Sequence, residues 1–312
     1  MTRVSVAAVA VVLAVAAATT AVGSHAPGRT EAATPAAGAF AGPVALEDGR
    51  RIYMECRGAG SPVVLDAGVR SRSDFWVERQ PETRGRTVFP GIARFTRVCI
   101  YDRPGTTLGT EAFSRSDPVP MPRTAKDAVA DLRALLRAAR LRGPHVLAGH
   151  STGGLIVRLY ASTYPSQVAG LVEVDALSEF LQGPLNRAQI IAYDELNNGP
   201  LPGLEAYADL EQILFRPSFG QMRRADARRP LGRMPIVVIS RRLPLPVPPG
   251  LPEGLTTPVL ETAWRAGQNE LATMLPGARW VIATRSSHYV MFSQPALIIG
   301  AVRDVVDEVR RS

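Results

Sequence analysis

The chain has 312 residues, 46% hydrophobic and 21% charged, which suits one large folded domain or two small ones and excludes a disordered chain. Its 27 glycines and 26 prolines interrupt the apolar pattern too often for a coiled coil, and two cysteines are too few for a disulfide scaffold or a cysteine-based zinc site. The net charge of +8 comes from arginines dispersed along the chain rather than gathered in basic runs, so we expect no nucleic-acid partner.

The first 26 residues have the three parts of a secretory signal peptide. Residues 1–3 form a short, positively charged segment, and residues 4–18 are apolar. Small residues follow up to Ala26, near which we expect cleavage. The alternative is an uncleaved membrane anchor, because residues 4–22 are almost long enough to span a bilayer. Residues 27–43, rich in Ala, Gly, Pro and Thr, are predicted to be a flexible linker. We therefore expect a secreted protein without stable membrane insertion after cleavage.

Strands and helices alternate along residues 44–312. An Asp-Gly turn at 48–49 predicts a hairpin over residues 44–56. Short apolar runs predict strands at 62–65, 97–101, 145–148, 168–174, 236–240 and 280–283, and helical periodicity predicts helices at 124–140, 154–164, 257–275 and 295–311. Buried strands separated by helices indicate an α/β fold with a mostly parallel sheet. The alternation breaks once, at residues 176–234, where we expect a helical lid.

One motif predicts a nucleophile. Gly149-His150-Ser151-Thr152-Gly153 matches G-x-S-x-G, with a predicted strand directly before it and a predicted helix directly after. A sharp turn between them would expose the Ser151 hydroxyl, and the start of the helix would present N–H groups to developing negative charge. The alternative is a serine that only caps the helix.

The four histidines of the chain leave one candidate for the general base. His25 lies in the predicted signal region, His145 precedes a strand, and His150, beside the nucleophile, is expected to point elsewhere. His288 is the only histidine that follows Ser151, and it comes right after the last predicted strand. We therefore predict that His288 takes the proton of Ser151.

With these features, the chain resembles the α/β-hydrolase family from about residue 43 to residue 311. It is most similar to exported, lid-bearing hydrolases of the actinobacterial type, and the run RVCIYDRPG at residues 97–105 is a second landmark of that similarity. The resemblance implies an α/β-hydrolase fold, with a mostly parallel eight-stranded sheet, helices on both faces and a helical lid inserted after the sixth strand. It also implies a triad in the order Ser, acid, His.

The resemblance leaves the triad acid open. Most family members carry it after the strand that here ends at Ser240, but the loop that follows has no carboxylate before Glu253. Some members use the end of the preceding strand instead, where this chain has Asp175. Asp175 is the leading candidate to hold the His288 imidazole, and Glu253 or another acid such as Glu261 is the alternative. Asp175 would otherwise only cap the first lid helix.

The resemblance also implies an oxyanion hole and a cysteine pair. The N–H groups of Val69 and Thr152 correspond to the family's oxyanion donors, although Ala-Gly replaces the more familiar His-Gly at 67–68. Cys56 and Cys99 fall on strands that are neighbours in the family, so a disulfide is expected in an oxidising compartment, with two free thiols as the alternative. Asp102 and Arg103 are expected to hold loops together rather than to react.

The predicted function is that of a secreted serine hydrolase, esterase-like or lipase-like, acting on a small hydrophobic ester through an acyl-enzyme. Peptidase, thioesterase or perhydrolase activity on the same triad is an alternative, as is a catalytically silent ligand-binding module. We expect a monomer. We also expect no metal or organic cofactor, because metal-ligand spacings and dinucleotide fingerprints are missing from the sequence.

Overall fold

The computed structural model describes residues 38–81, 83–199, 201, 203–205, 207–228, 231–232, 234–245, 250–274 and 277–311. The predicted signal peptide at 1–26 and most of the predicted linker, 27–37, lie outside these residues. Among the helices that are described, none has the length and apolar character needed to cross a membrane.

Eight strands form a single sheet in the order β1-β2-β4-β3-β5-β6-β7-β8. In chain order they are β1 (Phe40–Ala45), β2 (Arg51–Arg57), β3 (Pro62–Asp66), β4 (Arg97–Tyr101), β5 (His145–His150), β6 (Val168–Val174), β7 (Ile236–Arg241) and β8 (Arg279–Ala283). Strand β2 runs antiparallel to both of its neighbours, β1 and β4. The other six strands, β4-β3-β5-β6-β7-β8 in sheet order, all pair in parallel. The predicted mostly parallel, eight-stranded sheet is therefore confirmed.

The first strand corrects one predicted boundary. Strand β1 begins at Phe40, so residues 40–43, assigned to the linker from their composition, pair with β2 instead. Pro43 is accommodated because β1 is an edge strand, where a missing backbone N–H leaves no ladder bond unmade.

Helices cover both faces of the sheet. They are α1 (Val88–Ile92), α2 (Ala125–Ala138), α3 (Thr152–Thr163), α4 (Arg187–Asn198), α5 (Phe215–Arg228), α6 (Thr257–Thr273), α7 (Val290–Ser293) and α8 (Pro295–Arg311). Leu132 of α2 and Leu155 of α3 belong to the core on one face, whereas Phe89 of α1 and Val302 of α8 belong to the core on the other. Because both faces are covered, the central strands are buried and mostly apolar, and polar residues such as Asp66, His150 and Glu173 lie near their carboxyl ends.

The segment between β6 and β7 combines helices with turns and irregular stretches where it is described. It contains a 3₁₀ turn (Glu179–Gln182) and helices α4 and α5. Helix α5 packs against α2 and α3, with Phe215 and Phe219 buried in the core beneath it. The described part of this inserted segment, residues 175–235, is therefore attached through α5 to the same face of the sheet as α3.

Strands β2 and β4 are joined covalently. Cys56 and Cys99 lie directly opposite each other on these strands and form a disulfide. Both cysteines are fully buried, and the bond closes a loop with a sequence separation of 43 residues. A disulfide that closes a loop of that size is expected to stabilise the fold by about 3–4 kcal/mol.

Candidate active site

The carboxyl edge of the sheet brings together the residues predicted from the two ends of the domain. Strands β5, β6 and β7 pair in parallel, and β8 pairs with β7, so all four end at the same edge. Ser151 follows β5, Asp175 follows β6, and His288 lies five residues beyond the end of β8. This edge is where open α/β sheets present functional side chains.

The turn at Ser151 has a strained backbone that only its glycines permit. Ser151 has φ 53° and ψ −122° and is followed at once by helix α3. A Cβ on Gly149 would lie 2.4 Å from the Gly153 carbonyl oxygen, and a Cβ on Gly153 would lie 2.4 Å from that of Asp66. The strand–turn–helix geometry expected from the motif is therefore present. Strain of this kind persists because the surrounding structure over-determines the turn.

Asp175 and His288 form a short hydrogen bond. His288 Nδ1 lies 2.6 Å from Asp175 Oδ2, and the carboxylate is fully buried. Because a carboxylate only accepts, Nδ1 carries the proton of this bond, and the other ring nitrogen, Nε2, takes no part in it. The alternative acids are placed differently: Glu253 is exposed, and Glu261 pairs with Arg241 at 2.8 Å.

Two further side chains fix the Asp175 carboxylate. Trp264 donates its indole N–H to Oδ1 at 3.0 Å, and the backbone N–H of Arg241 donates to the same oxygen at 3.2 Å. The Arg241 guanidinium forms an ion pair with Oδ2, at 3.2 Å from Nε. The groups that contact Asp175 here are all hydrogen-bond donors or cations, and they hold its side chain in one orientation. Sequence reasoning missed both residues, because no local pattern marks a tryptophan on α6 or an arginine ending β7.

His150 supports the backbone of His288. Its Nε2 lies 3.0 Å from the His288 carbonyl oxygen, and the two rings are 4.5 Å apart. Since a carbonyl only accepts, Nε2 of His150 carries the proton. Burial, together with the nearby His288, lowers the pKa of His150 well below its ordinary value, so this imidazole is neutral. The sequence motif alone assigned His150 no such contact.

The loop at residues 66–70 passes directly over Ser151. A Cβ built on Gly68 would lie 3.4 Å from Ser151 Cβ and 3.1 Å from His150 Nδ1. Within the described part of the chain, no protein oxygen accepts from the N–H of Val69 or of Thr152. Among those residues, neither predicted oxyanion donor is therefore engaged by another part of the protein.

The charged pair after β4 has the loop-holding contacts expected of it. Asp102 accepts from the Ser73 hydroxyl at 2.6 Å and from Arg115 Nε at 2.7 Å. Arg103 is buried in ion pairs with Asp66 and Glu211. Glu211 belongs to the inserted segment, and its contact with Arg103 was not foreseen from the sequence.

Aromatic rings surround the two imidazoles. Trp264 and Tyr289 meet the His288 ring at centroid distances of 5.2 and 5.4 Å, and Trp76 meets His150 at 6.4 Å. Burial raises the pKa of Tyr289, so its hydroxyl is not a base. A surrounding of low polarity strengthens the Asp175–His288 interaction. Among the described residues, no three His, Cys, Asp or Glu side chains are grouped as metal ligands.

Comparison with known sequences is consistent with this geometry. The sequence profile of the alpha/beta hydrolase family matches residues 58–301. A putative carbamate hydrolase, RutD, of Azorhizobium caulinodans is 32% identical over 167 residues, which are 53% of this chain and 55% of that protein. The chain thus spans about half the length of this relative.

Solved structures share the fold. The esterase RhEst1 of Rhodococcus sp. ECU1013 has a TM-score of 0.53 at 18% identity, covering 86% of this chain and 99% of that one. The structure of DBJA (mutant dbja delta) has a TM-score of 0.60 at 14% identity, covering 88% of this chain and 100% of that one. At such identities the similarity shows a common architecture.

Proposed function

Because the chain belongs to the alpha/beta hydrolase family, we propose that it hydrolyses carboxylic esters through an acyl-enzyme on Ser151. The observation that carries the proposal is the 2.6 Å bond between His288 Nδ1 and the buried Asp175 carboxylate, at the same sheet edge as the strained Ser151 turn. A serine hydroxyl needs such an oriented base to become a nucleophile.

In the proposed mechanism, His288 moves protons and Asp175 orients it. Nε2 takes the proton of the Ser151 hydroxyl as Oγ forms its bond to the carbonyl carbon, and Asp175 stabilises the imidazolium that results. The imidazolium then gives its proton to the leaving alkoxide as the carbon–oxygen bond breaks. Water adds to the acyl-enzyme by the same proton transfers, and the acid is released.

The Val69 and Thr152 N–H groups are proposed to bind the oxyanion of both tetrahedral intermediates. Thr152 contributes from the first position of helix α3, where the helix dipole adds positive potential. Removing one donor of this kind from a serine hydrolase costs about 10²- to 10³-fold in kcat. The tight placement of Gly68 against Ser151 supports this role, because Val69 is the next residue of the same loop.

The aromatic surroundings favour a hydrophobic ester of small or medium size. We assign residues 176–234 of the inserted segment the function of a lid over this substrate. Peptidase, thioesterase and perhydrolase reactions use the same triad chemistry and differ only in the acceptor or leaving group. The similarity to a putative carbamate hydrolase makes carbamates the second substrate class to test.

The test combines an active-site label with a substrate panel. A fluorophosphonate probe is expected to label the wild type and not Ser151→Ala. p-Nitrophenyl esters of increasing acyl-chain length, with a p-nitrophenyl carbamate beside them, then rank the acyl groups that the enzyme accepts, because the leaving group stays the same. A folded wild type that never labels would support the silent binding module instead.

Export is part of the same proposal. The Cys56–Cys99 disulfide suits an oxidising compartment, and residues 1–26 have signal-peptide character. We expect the mature protein to be found outside the cell as a monomer. Mass measurement of its N-terminus tests cleavage near Ala26, and retention of the intact chain in the membrane fraction would favour the uncleaved anchor.

A further inference from the structure

The loop that carries the Val69 N–H is held from both sides by one buried ion pair. We propose that Arg103 and Glu211 are positioning residues that orient this N–H, so that the oxyanion hole depends on the inserted segment. The inference rests on the proposed function, in which Val69 is an oxyanion donor.

Arg103 binds the part of the loop that precedes Val69. Its Nη1 donates to the Ala67 carbonyl at 2.8 Å and to Asp66, and its Nη2 donates to the Gly68 carbonyl at 2.6 Å. The guanidinium is 4% exposed, so these bonds are made away from water. One side chain thus fixes three consecutive residues.

The bond to the Gly68 carbonyl sets the direction of the Val69 N–H. The two groups belong to one planar trans peptide unit and point to opposite sides of it. Holding the Gly68 oxygen on Arg103 therefore turns the Val69 N–H away from Arg103, and a rotated peptide would lose this bond. The Ser71 N–H also donates to the Gly68 oxygen, at 3.1 Å, which reinforces the same orientation. Polarisation of the peptide by a cation also makes its N–H a stronger donor.

Glu211 binds the part of the loop that follows Val69. Its Oε2 accepts from the Arg70 N–H at 2.6 Å, and its two oxygens take Arg103 Nη2 and Nε at 2.9 and 2.6 Å. Arg70 has φ 58°, a conformation that needs support in a residue other than glycine. The carboxylate therefore holds Arg70 directly and Arg103 in its bidentate geometry.

Further contacts with backbone carbonyls connect the inserted segment to the loops that carry Arg70 and Arg103. The Glu211 N–H donates to the Gly105 carbonyl at 2.9 Å, and the Arg70 guanidinium donates to the carbonyls of Glu211 and Gly199 at 3.0 and 2.9 Å. A displacement of residues 199–211 would pull on the loop that carries Val69. The inserted segment is thus expected to act on turnover as well as on substrate access.

Glu211→Gln is the sharpest test because it keeps the shape of the side chain. An amide nitrogen accepts no hydrogen bond, so at least one of the bonds to Arg103 or Arg70 is lost. We expect kcat on p-nitrophenyl acetate to fall about 10- to 100-fold with KM within about threefold, since the oxyanion forms only after attack. The inhibition constant of a trifluoromethyl ketone, which forms a tetrahedral adduct, should rise by a similar factor.

Glu179→Gln is the matched control. Glu179 is also a buried glutamate of the inserted segment in an ion pair with a buried arginine, Arg158. Among the described residues, its carboxylate hydrogen-bonds to Arg158 and not to the 66–70 loop. We expect it to lower Tm as Glu211→Gln does while leaving kcat and the ketone affinity within about twofold. Equal losses of kcat in both variants, or a Glu211→Gln variant with normal kcat, would overturn the proposal.

A second variant and a second readout keep the two proposals apart. Arg103→Lys replaces the planar fork by a point charge that cannot make the same set of bonds, and should lower kcat in the same way if Glu211→Gln does not fold. Hydrogen exchange of residues 66–71 should be faster in Glu211→Gln than in Glu179→Gln. If the wild type hydrolyses no ester, the proposed function fails, and unchanged exchange in this loop would separately refute the positioning.

Discussion

Two acidic side chains at the end of strand β6 have opposite surroundings. Asp175 and Glu173 are two residues apart, and both are almost fully buried. Asp175 receives hydrogen bonds from His288, Trp264 and the Arg241 backbone. Within the described residues, neither Glu173 oxygen has a hydrogen-bond partner. Both carboxyl groups are therefore buried, and they differ in the number of hydrogen-bond donors that contact them.

The difference follows from where the nearest cation is engaged. Arg158 lies near Glu173 but forms its ion pairs with Glu179 and Asp226. Desolvation raises the pKa of Glu173 from an ordinary value of 4.5 to about 8, so this carboxyl is neutral near pH 7. Glu173, a buried acid without hydrogen-bond donors, is thus protonated near neutral pH. Asp175, which accepts from several donors, can instead stabilise an imidazolium.

The largest effect that separates the two acids is on turnover. Asp175→Asn should lower kcat by about 10⁴-fold, because an amide no longer holds the productive tautomer of His288. Glu173→Gln, the same kind of change two residues away, should leave kcat within about twofold. Steady-state kinetics with p-nitrophenyl acetate measures both. Near-normal turnover in Asp175→Asn would assign the triad acid elsewhere.

The next effect concerns stability and its dependence on pH. Because folding raises the pKa of Glu173 from 4.5 to about 8, the folded state binds an extra proton between these pH values. The contribution of Glu173 to wild-type stability should therefore fall as pH rises from about 5 to 8 and then level off, by an amount on the order of 4 kcal/mol. Glu173→Gln removes this dependence. Urea unfolding of both proteins at pH 5, 7 and 9 tests it, and parallel curves would show that Glu173 ionises normally.

A third region tests whether general stability alone governs turnover. The double variant Cys56→Ser, Cys99→Ser should lose about 3–4 kcal/mol of unfolding free energy. The disulfide joins β2 and β4, away from the strand ends that carry Ser151 and Asp175, so kcat at 25 °C should be unchanged. A parallel fall in kcat would mean that turnover follows overall rigidity and would weaken the comparison of the two acids.

The smallest effect concerns one donor to Asp175. Trp264→Phe removes the 3.0 Å indole bond but keeps an aromatic ring against His288. A hydrogen bond to a charged group contributes about 1.5–3 kcal/mol, and the Arg241 contacts remain, so we expect kcat/KM to fall about tenfold. The control is Trp280→Phe, because Trp280 lies on β8 and donates to Ser240 instead. The value of kcat/KM is measured for both variants. Equal values for the two variants would show that Trp264 only packs.

Local sequence patterns predicted the parts of the molecule whose cause is local. Apolar runs placed the central strands, and G-x-S-x-G placed the turn at Ser151. Helix α1 was missed because five residues, Val88–Ile92, are too few to show a helical period. The start of β1 was missed because Gly42 and Pro43 are typical of a loop.

The rest of the site depends on contacts between distant parts of the chain. Trp264 meets Asp175 across 89 residues, and Glu211 meets Arg103 across 108. No periodicity or motif encodes such pairings, because they arise from how the inserted segment and α6 pack on the sheet. Asp175 itself was named through the family resemblance, with other acids left open.

The contact between Glu211 and the loop at 66–70 has a consequence for protein engineering. Inserted segments are attractive units to exchange between hydrolases when a new substrate range is wanted. Here a graft that omits the stretch around Glu211 would leave Arg103 buried with one counter-charge fewer, and the Val69 amide without its second anchor. A chimera that retains residues 199–211 from this chain is the one expected to inherit its turnover.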